Sequence, residues 1–335
     1  MMLKSLAFSL CFIATGAVAG PRQTTIDAVL DQHVLPRMQQ LSESAADLSE
    51  AAVADCTPAA LRGPWSEAFD AWIGVSHLRF GPAETASRGF ALAFWPDTRG
   101  RMPKALSGLI ADADPVVEDP ARFAEVSIAG RGFYALELML YDPAFAERGE
   151  ADYRCALIRA MTADIAATAG AIFSDWTEGY AAAMRNPGSG PYKDESEVLQ
   201  ELFKALDTGL QINADLRLGR PLGSFERPRP ERAETRRSGR SLENVRLSMT
   251  ALRQLAVLLA GEDDRLSNSL AAQFDVMLER AEALQDPVFA GVTEPQSRFR
   301  IEALQQSVND VRTKAVEELG PALGVAAGFN AMDGD

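Results

Sequence analysis

The chain has 335 residues, of which 47% are hydrophobic, 24% charged and 7% aromatic, a balance that suits a folded protein and excludes intrinsic disorder. Three cysteines exclude a disulfide-rich miniprotein, and a formal charge of -14 argues against a nucleic-acid partner, whose phosphates it would repel. With only two histidines, His33 and His77, no site can place three imidazoles on one metal.

The chain opens as a secretory signal. Lys4 supplies the positive charge, Leu6 to Ala14 the apolar core, and Ala17-Val18-Ala19 the small-x-small site. Cleavage after Ala19 and a periplasmic mature protein are the expectation. Cys11 lies inside the apolar core without a good lipobox around it. No later run approaches the roughly 18 unbroken apolar residues that a membrane span needs. Once the signal is removed, Cys56 and Cys155 remain. In an oxidising compartment two such cysteines are more often paired than free, with separate buried thiols as the alternative, and the bridge would close a loop of about 100 residues, worth roughly 4–5 kcal/mol in the chain-entropy account. Neither cysteine has a histidine nearby in sequence, so a catalytic thiol is not expected.

Helical spacing governs the rest. Ile26, Val29, Leu30, Val34 and Met38 recur at i, i+3 and i+4, as do Leu242, Val245, Met249, Leu252 and Leu255, then Leu266, Leu270, Phe274 and Met277, then Ile301, Leu304, Val308 and Val311. Alternating strand-like runs are nearly absent, and the predicted class is all-α. Arg185 to Tyr192 reads RNPGSGPY, which cannot continue a helix. It divides the mature chain into two helical-bundle halves packed together, residues 20–186 and 192–335. Within the second, Arg217 to Gly239 reads as a long irregular stretch, the kind that is either functional or disordered. Trp65, Phe69, Trp72 and Phe80 have helical spacing and are expected in the core. His33 and His77 read as packing or surface residues. The acidic loops Asp112 to Asp119 and Glu262 to Asp264 lack the alternation and closing Glu of a calcium loop.

Segment 130–140, GRGFYALELML, carries the most chemistry. On a helix beginning near Gly132, Tyr134 and Glu137 fall one turn apart, and Leu136, Leu138, Met139 and Leu140 surround the carboxylate with apolar groups. Such a carboxylate is costly unless it meets a cation, a metal or several donors; the alternative is that Glu137 lies on the wet face of an amphipathic helix. The second candidate is the Arg-rich loop, with Arg227, Arg229, Arg232, Arg236, Arg237 and Arg240 offset by Glu226, Glu231 and Glu234. It reads either as a self-paired solvated loop or as an anion site. For the anion site, Ser238 or Ser241 would cap the following helix and Arg240 would supply a guanidinium fork.

Segment 130–140 resembles the G-x-H-x-x-E signature of the imelysin family, periplasmic all-α proteins associated with iron acquisition. Trp65, Trp72 and Leu78-Arg79-Phe80-Gly81-Pro82 resemble an early helix end of that family. Leu218 to Gly223 with Arg237 to Leu242 resemble its mid-chain loop, and Leu323 to Asn330 with Asp333-Gly334-Asp335 its C terminus. The resemblance implies a site built on Glu137 and Tyr134, lined by Arg79, Ser238, Arg240 and Ser241, that handles iron or another divalent or trivalent metal. It also implies a membrane-transport or uptake partner protein.

One departure matters: Tyr134 stands where the family signature has histidine. Tyrosine coordinates mainly as phenolate, which ferric iron can stabilise, and the alternative is a phenol that only donates a hydrogen bond. The family was once grouped with metallopeptidases, but the missing histidine and the lack of H-E-x-x-H make peptidase activity unexpected here. The leading expectation is therefore a non-catalytic metal-handling protein. A binding module for an anionic small molecule or glycan is the alternative, and a helix-docking scaffold is a further one.

Overall fold

In a computed structural model, which describes residues 20–326, helices cover most of the chain. The signal-like segment and the tail motifs from Gly328 onward lie outside the described residues. No strand occurs among the described residues beyond an isolated bridge between Ser224 and Arg227. Eight helices matter for the argument: α1 (residues 21–54), α2 (Pro58–Val75), α3 (Gly132–Tyr141), α4 (Ala151–Arg185), α5 (residues 195–222), α6 (Ser241–Leu259), α7 (Asp264–Leu284) and α8 (residues 295–323). Short helical turns and loops join them. The all-α expectation holds, with one amendment: residues 217–222 continue α5, so the irregular stretch begins at Gly223.

Helix α1 packs along both α2 and α4, and α3 lies against α2 and α4, while α5 to α8 pack among themselves. The two groups are not separate cores. Helix α6 packs on α2, the first turns of α1 pack on α5 and α6, and one apolar cluster runs from Ile26 to Leu323. Trp65 and Phe69 stack at 5.0 Å between ring centres, and the Trp65 indole donates to the Phe133 carbonyl at 3.1 Å. The four early aromatics thus fill core, as their spacing implied.

Helix α4 has no unbroken apolar run of membrane-spanning length, as expected. By length and composition it could cross a membrane, with a window of mean hydropathy 1.4 despite its interrupting charges. In the fold it packs along α1, and Leu157, Ile158, Met161 and Ile165 are buried. Its first turns are tied to the start of α2 by the disulfide between Cys56 and Cys155, whose Cα atoms lie 5.3 Å apart.

A proline explains how the halves lock at α1. Pro36 has no N–H for the Gln32 carbonyl one turn earlier, and the helix widens into a π turn at Leu30–Val34 just before it. The freed Gln32 carbonyl accepts from the Gln254 amide of α6 at 2.9 Å. Gln254 Oε1 in turn accepts from Arg37 Nε and Nη2 at 3.2 and 2.9 Å, and from His33 Nδ1 at 3.1 Å. With that proton assigned, His33 Nε2 accepts from His77 Nε2 at 2.8 Å, and His77 Nδ1 is buried without a partner. Both histidines are sealed from water and neutral. Burial pushes His33 down to about 3, with Arg37 adding to it, and pushes His77 well below the ordinary range.

Two outcomes follow from these contacts. Replacing Cys56 and Cys155 with Ser should lower unfolding free energy by about 4 kcal/mol in urea melts, given the loop of about 100 residues that the bridge closes; a loss below about 1 kcal/mol would contradict a stabilising bridge. The histidine pair makes the fold acid-sensitive. The unfolded chain takes up protons as pH falls through 6.5 while the folded imidazoles do not, so stability is present above 6.5 and is lost toward 3. The slope is about 1.4 kcal/mol per pH unit for each imidazole. Urea melts at pH 7 and pH 5 should show this slope, and His33→Gln should flatten it.

Candidate functional site at the junction of the halves

Helix α3 begins at Gly132 because nothing else fits there. Its φ is +77°, and a Cβ would sit 2.3 Å from the Ala91 carbonyl oxygen and 2.5 Å from that of Leu92. This close approach sinks the whole motif helix: every residue from Gly132 to Leu140 is buried, Glu137 at 4% exposure and Tyr134 at 5%. Glu137 is therefore not on a wet face. Its partners come from the loop after α5. Glu137 Oε1 accepts from the Ser238 backbone N–H at 3.0 Å and from the Ser238 hydroxyl at 2.8 Å. Burial still outweighs these donors and pushes its carboxyl above the usual range. No hydrogen bond reaches Oε2 among the described residues.

Tyr134 meets a second carboxylate. Its hydroxyl donates to Glu234 Oε1 at 2.6 Å. Glu234, 1% exposed, also accepts from Arg217 Nε and Asn244 Nδ2, both at 2.8 Å to Oε2. Arg217 is sealed as well, and its other nitrogens donate to Asn213 at 3.3 Å and to the Ser76 hydroxyl at 3.4 Å. Burial and the neighbouring Glu234 charge drive the Tyr134 phenol well above 10. It is a hydrogen-bond donor here, not a phenolate. Thr235, beside Glu234, holds a left-handed φ of +44° that a threonine rarely adopts, a strain common at functional sites.

The arginines of the loop do not pair within it, apart from a loose contact of Arg229 with Glu231 at 3.9 Å. Arg237 reaches Asp142 at 2.5 Å, and Arg240 pairs with Asp70, both acids of the first half. The self-paired loop is thereby corrected: its charges staple it onto α2 and the end of α3. Neither Ser238 nor Ser241 caps α6. Ser241 sits inside the first turn, where its hydroxyl donates to the Glu234 carbonyl at 2.5 Å. The first-turn N–H of Leu242 is taken by the Pro287 carbonyl at 3.0 Å.

Between α3 and the loop lies a cleft of about 210 Å³, whose lining includes Trp95, Tyr134 and Glu137, the arginines Arg220, Arg232 and Arg236, and the carboxylates Asp97 and Glu231. Arg220 spreads over the Trp95 ring at 5.8 Å, its Nε buried without a partner. Burial lowers the Arg220 pKa, and repulsion from Arg232 adds to it. Arg220, Arg232 and Arg236 form no ion pair among the described residues. Of the residues singled out from sequence, Tyr134 and Glu137 share this cleft and Ser238 holds Glu137. Ser241 lies beneath it, Arg240 is turned to Asp70, and Arg79 opens onto a different pocket. Sequence reasoning missed Glu234, Arg217, Asn244 and Arg220. A glutamate between Ala233 and Thr235 among arginines gives no sign that it is buried.

The architecture defines a class: an all-α double bundle with two sealed carboxylates at the seam and a cationic cleft above them. The sequence profile named Imelysin matches residues 34–315, and the chain belongs to the imelysin family. An imelysin-like protein from Psychrobacter arcticum 273-4 has the same fold, with a TM-score of 0.78 over 92% of this chain and 97% of its own at 17% identity. A Parabacteroides distasonis ATCC 8503 protein, classed as an iron-regulated protein A precursor, superimposes with a TM-score of 0.72 over 92% of this chain and 96% of its own at 15% identity. No curated protein matches the chain.

Removing one partner of a sealed ion pair exposes its worth. Arg217→Met should destabilise by about 3–5 kcal/mol by stranding Glu234, whereas Tyr134→Phe, which removes one donor of three, should cost about 1.5–3 kcal/mol. Denaturant melts that rank the two the other way would show that Arg217 is not the principal counter-ion.

Proposed function

We propose that the protein is a non-catalytic imelysin-family binding protein that acts in iron handling outside the cytoplasm, and that its cleft receives iron as an anionic complex. The observation that carries this is the unpaired set Arg220, Arg232 and Arg236 facing Glu137 across one cleft. Mutually repelling guanidiniums on an apolar and aromatic wall are stabilised by a carboxylate or phosphate group. Glu137, whose charge is disfavoured by burial, offers its free oxygen to a hydroxyl or coordinated water on the same guest. A carboxylate-ligated ferric complex presents both kinds of group.

The bare-ion reading has less support. Glu234 is saturated by three donors, Tyr134 is spent on one of them, and Arg217 already supplies the positive charge. No group of three His, Cys, Asp or Glu side chains converges among the described residues. Both histidines bond each other, and neither lines the cleft, which supports a binding rather than a hydrolytic role. The iron connection rests on the family and on the Parabacteroides iron-regulated protein A precursor that shares the fold. Export is supported by the signal-like N terminus and by the disulfide.

Calorimetric titration of the purified protein with ferric citrate, and separately with ferrous and zinc salts, tests the proposal. Ferric citrate should bind saturably and more weakly as salt rises, and Arg232→Ala with Arg236→Ala should weaken it at least tenfold. Glu137→Gln should leave it within about threefold. Saturable binding of the bare salts that Glu137→Gln abolishes and the arginine variants leave intact would replace this reading with a direct metal site.

A further inference from the structure

We propose that the protein has a second ligand site, distinct from the cationic cleft, that takes a compact amphiphilic organic anion: an aromatic or alkyl body carrying one acidic group. It is a cavity of about 310 Å³ beyond the end of α2, walled by Trp72, Leu78, Ala93 and Phe90, with Ser87, Glu84 and Arg79 as polar members. Its volume lies at the lower end of small-molecule sites, about 300–1,000 Å³, and its lining has their usual form, apolar walls with few polar groups.

Three observations point to an occupant of that chemistry. The first is charge. Arg79 donates through Nε to the Ser76 carbonyl at 3.1 Å, and its terminal nitrogens make no hydrogen bond or ion pair among the described residues. The network behind it sets two guanidiniums, Arg79 and Arg217, in the field of the single carboxylate Glu234, and Arg217 holds that carboxylate. Glu84 also lines the cavity, but its field falls on Tyr180, Tyr192 and Glu201 and no ion pair joins it to Arg79 among the described residues, so this guanidinium has no carboxylate bound to it. The second is apolar exposure. Phe90 stands at the rim with 54% of its surface in water, one of few large hydrophobic side chains so exposed. The third is backbone strain. Ala86 and Ser87 take consecutive left-handed conformations, with φ of 50° and 56°, although neither is glycine. That costly pair of turns shapes the wall beside Phe90. A carboxylate or sulfonate would sit bidentate on the guanidinium while its apolar part covers Phe90 and Trp72.

The test uses two fluorescent probes of nearly the same shape with the full-length protein: anionic 1-anilinonaphthalene-8-sulfonate and neutral N-phenyl-1-naphthylamine. The anionic probe should bind saturably at one site and be displaced by decanoate. Arg79→Met should weaken it at least tenfold and leave the neutral probe within twofold. Phe90→Ser, at an exposed position that the fold does not need, should weaken both at least fivefold. Arg232→Ala should affect neither, which separates this site from the cleft. The proposal is overturned if the anionic probe does not saturate, if Arg79→Met lowers both probes alike or neither, or if Arg232→Ala abolishes binding.

Discussion

The buried carboxylate of Glu234 is the constraint on which the rest of the structure turns. A charge taken almost entirely out of water is tolerated only when its oxygens are filled by donors and a counter-ion. Here the donors come from three places in the chain: Tyr134 on α3, Arg217 on α5 and Asn244 on α6. Satisfying one carboxylate therefore fixes the motif helix of the first half against two helices of the second. Once Glu234 is set, the loop that carries it is set too. Ser238 then falls on Glu137, Arg237 on Asp142 and Arg240 on Asp70.

That arrangement divides the arginines by task. Those whose partners are acids across the seam act as staples, and a charge so engaged is not free to recognise a guest. Those left over, Arg220, Arg232 and Arg236 at the cleft and Arg79 at the apolar cavity, carry the recognition chemistry in the functions proposed above. An overall acidic protein thus presents unpaired guanidiniums at two concave places. Net charge bears on non-specific partners at long range, whereas a guest inside a cleft responds to the groups within a few ångströms.

Much of the fold was legible in the residues. The apolar spacing marked the helices, RNPGSGPY interrupts them between α4 and α5, and Cys56 pairs with Cys155. The buried state of Glu137 was legible as one of two alternatives, since four apolar neighbours on a short helix leave little wet face. Tyr134 was legible as a departure that could turn phenol into donor or ligand, and the phenol donates. The histidines read as packing or surface residues and the structure packs both, but their mutual hydrogen bond was not legible, because 44 positions separate them and only the Pro36 distortion brings Gln254 to bear.

The amino-acid sequence by itself determined the local quantities: helix periods, breakers, the glycine that lets α3 approach another backbone, and the presence of an acidic side chain in an apolar run. These depend on residues a few positions apart, and short-range sterics and spacing encode them directly. Which acid faces which base was decided only by the tertiary structure. Glu234 looked like one of three acids offsetting neighbouring arginines, and became the sealed centre of the seam. Arg240 and Ser241 looked like site residues, and became a staple and a strut. Pairing between charges depends on distance through space and on the loss of water around them, and a linear chain states neither.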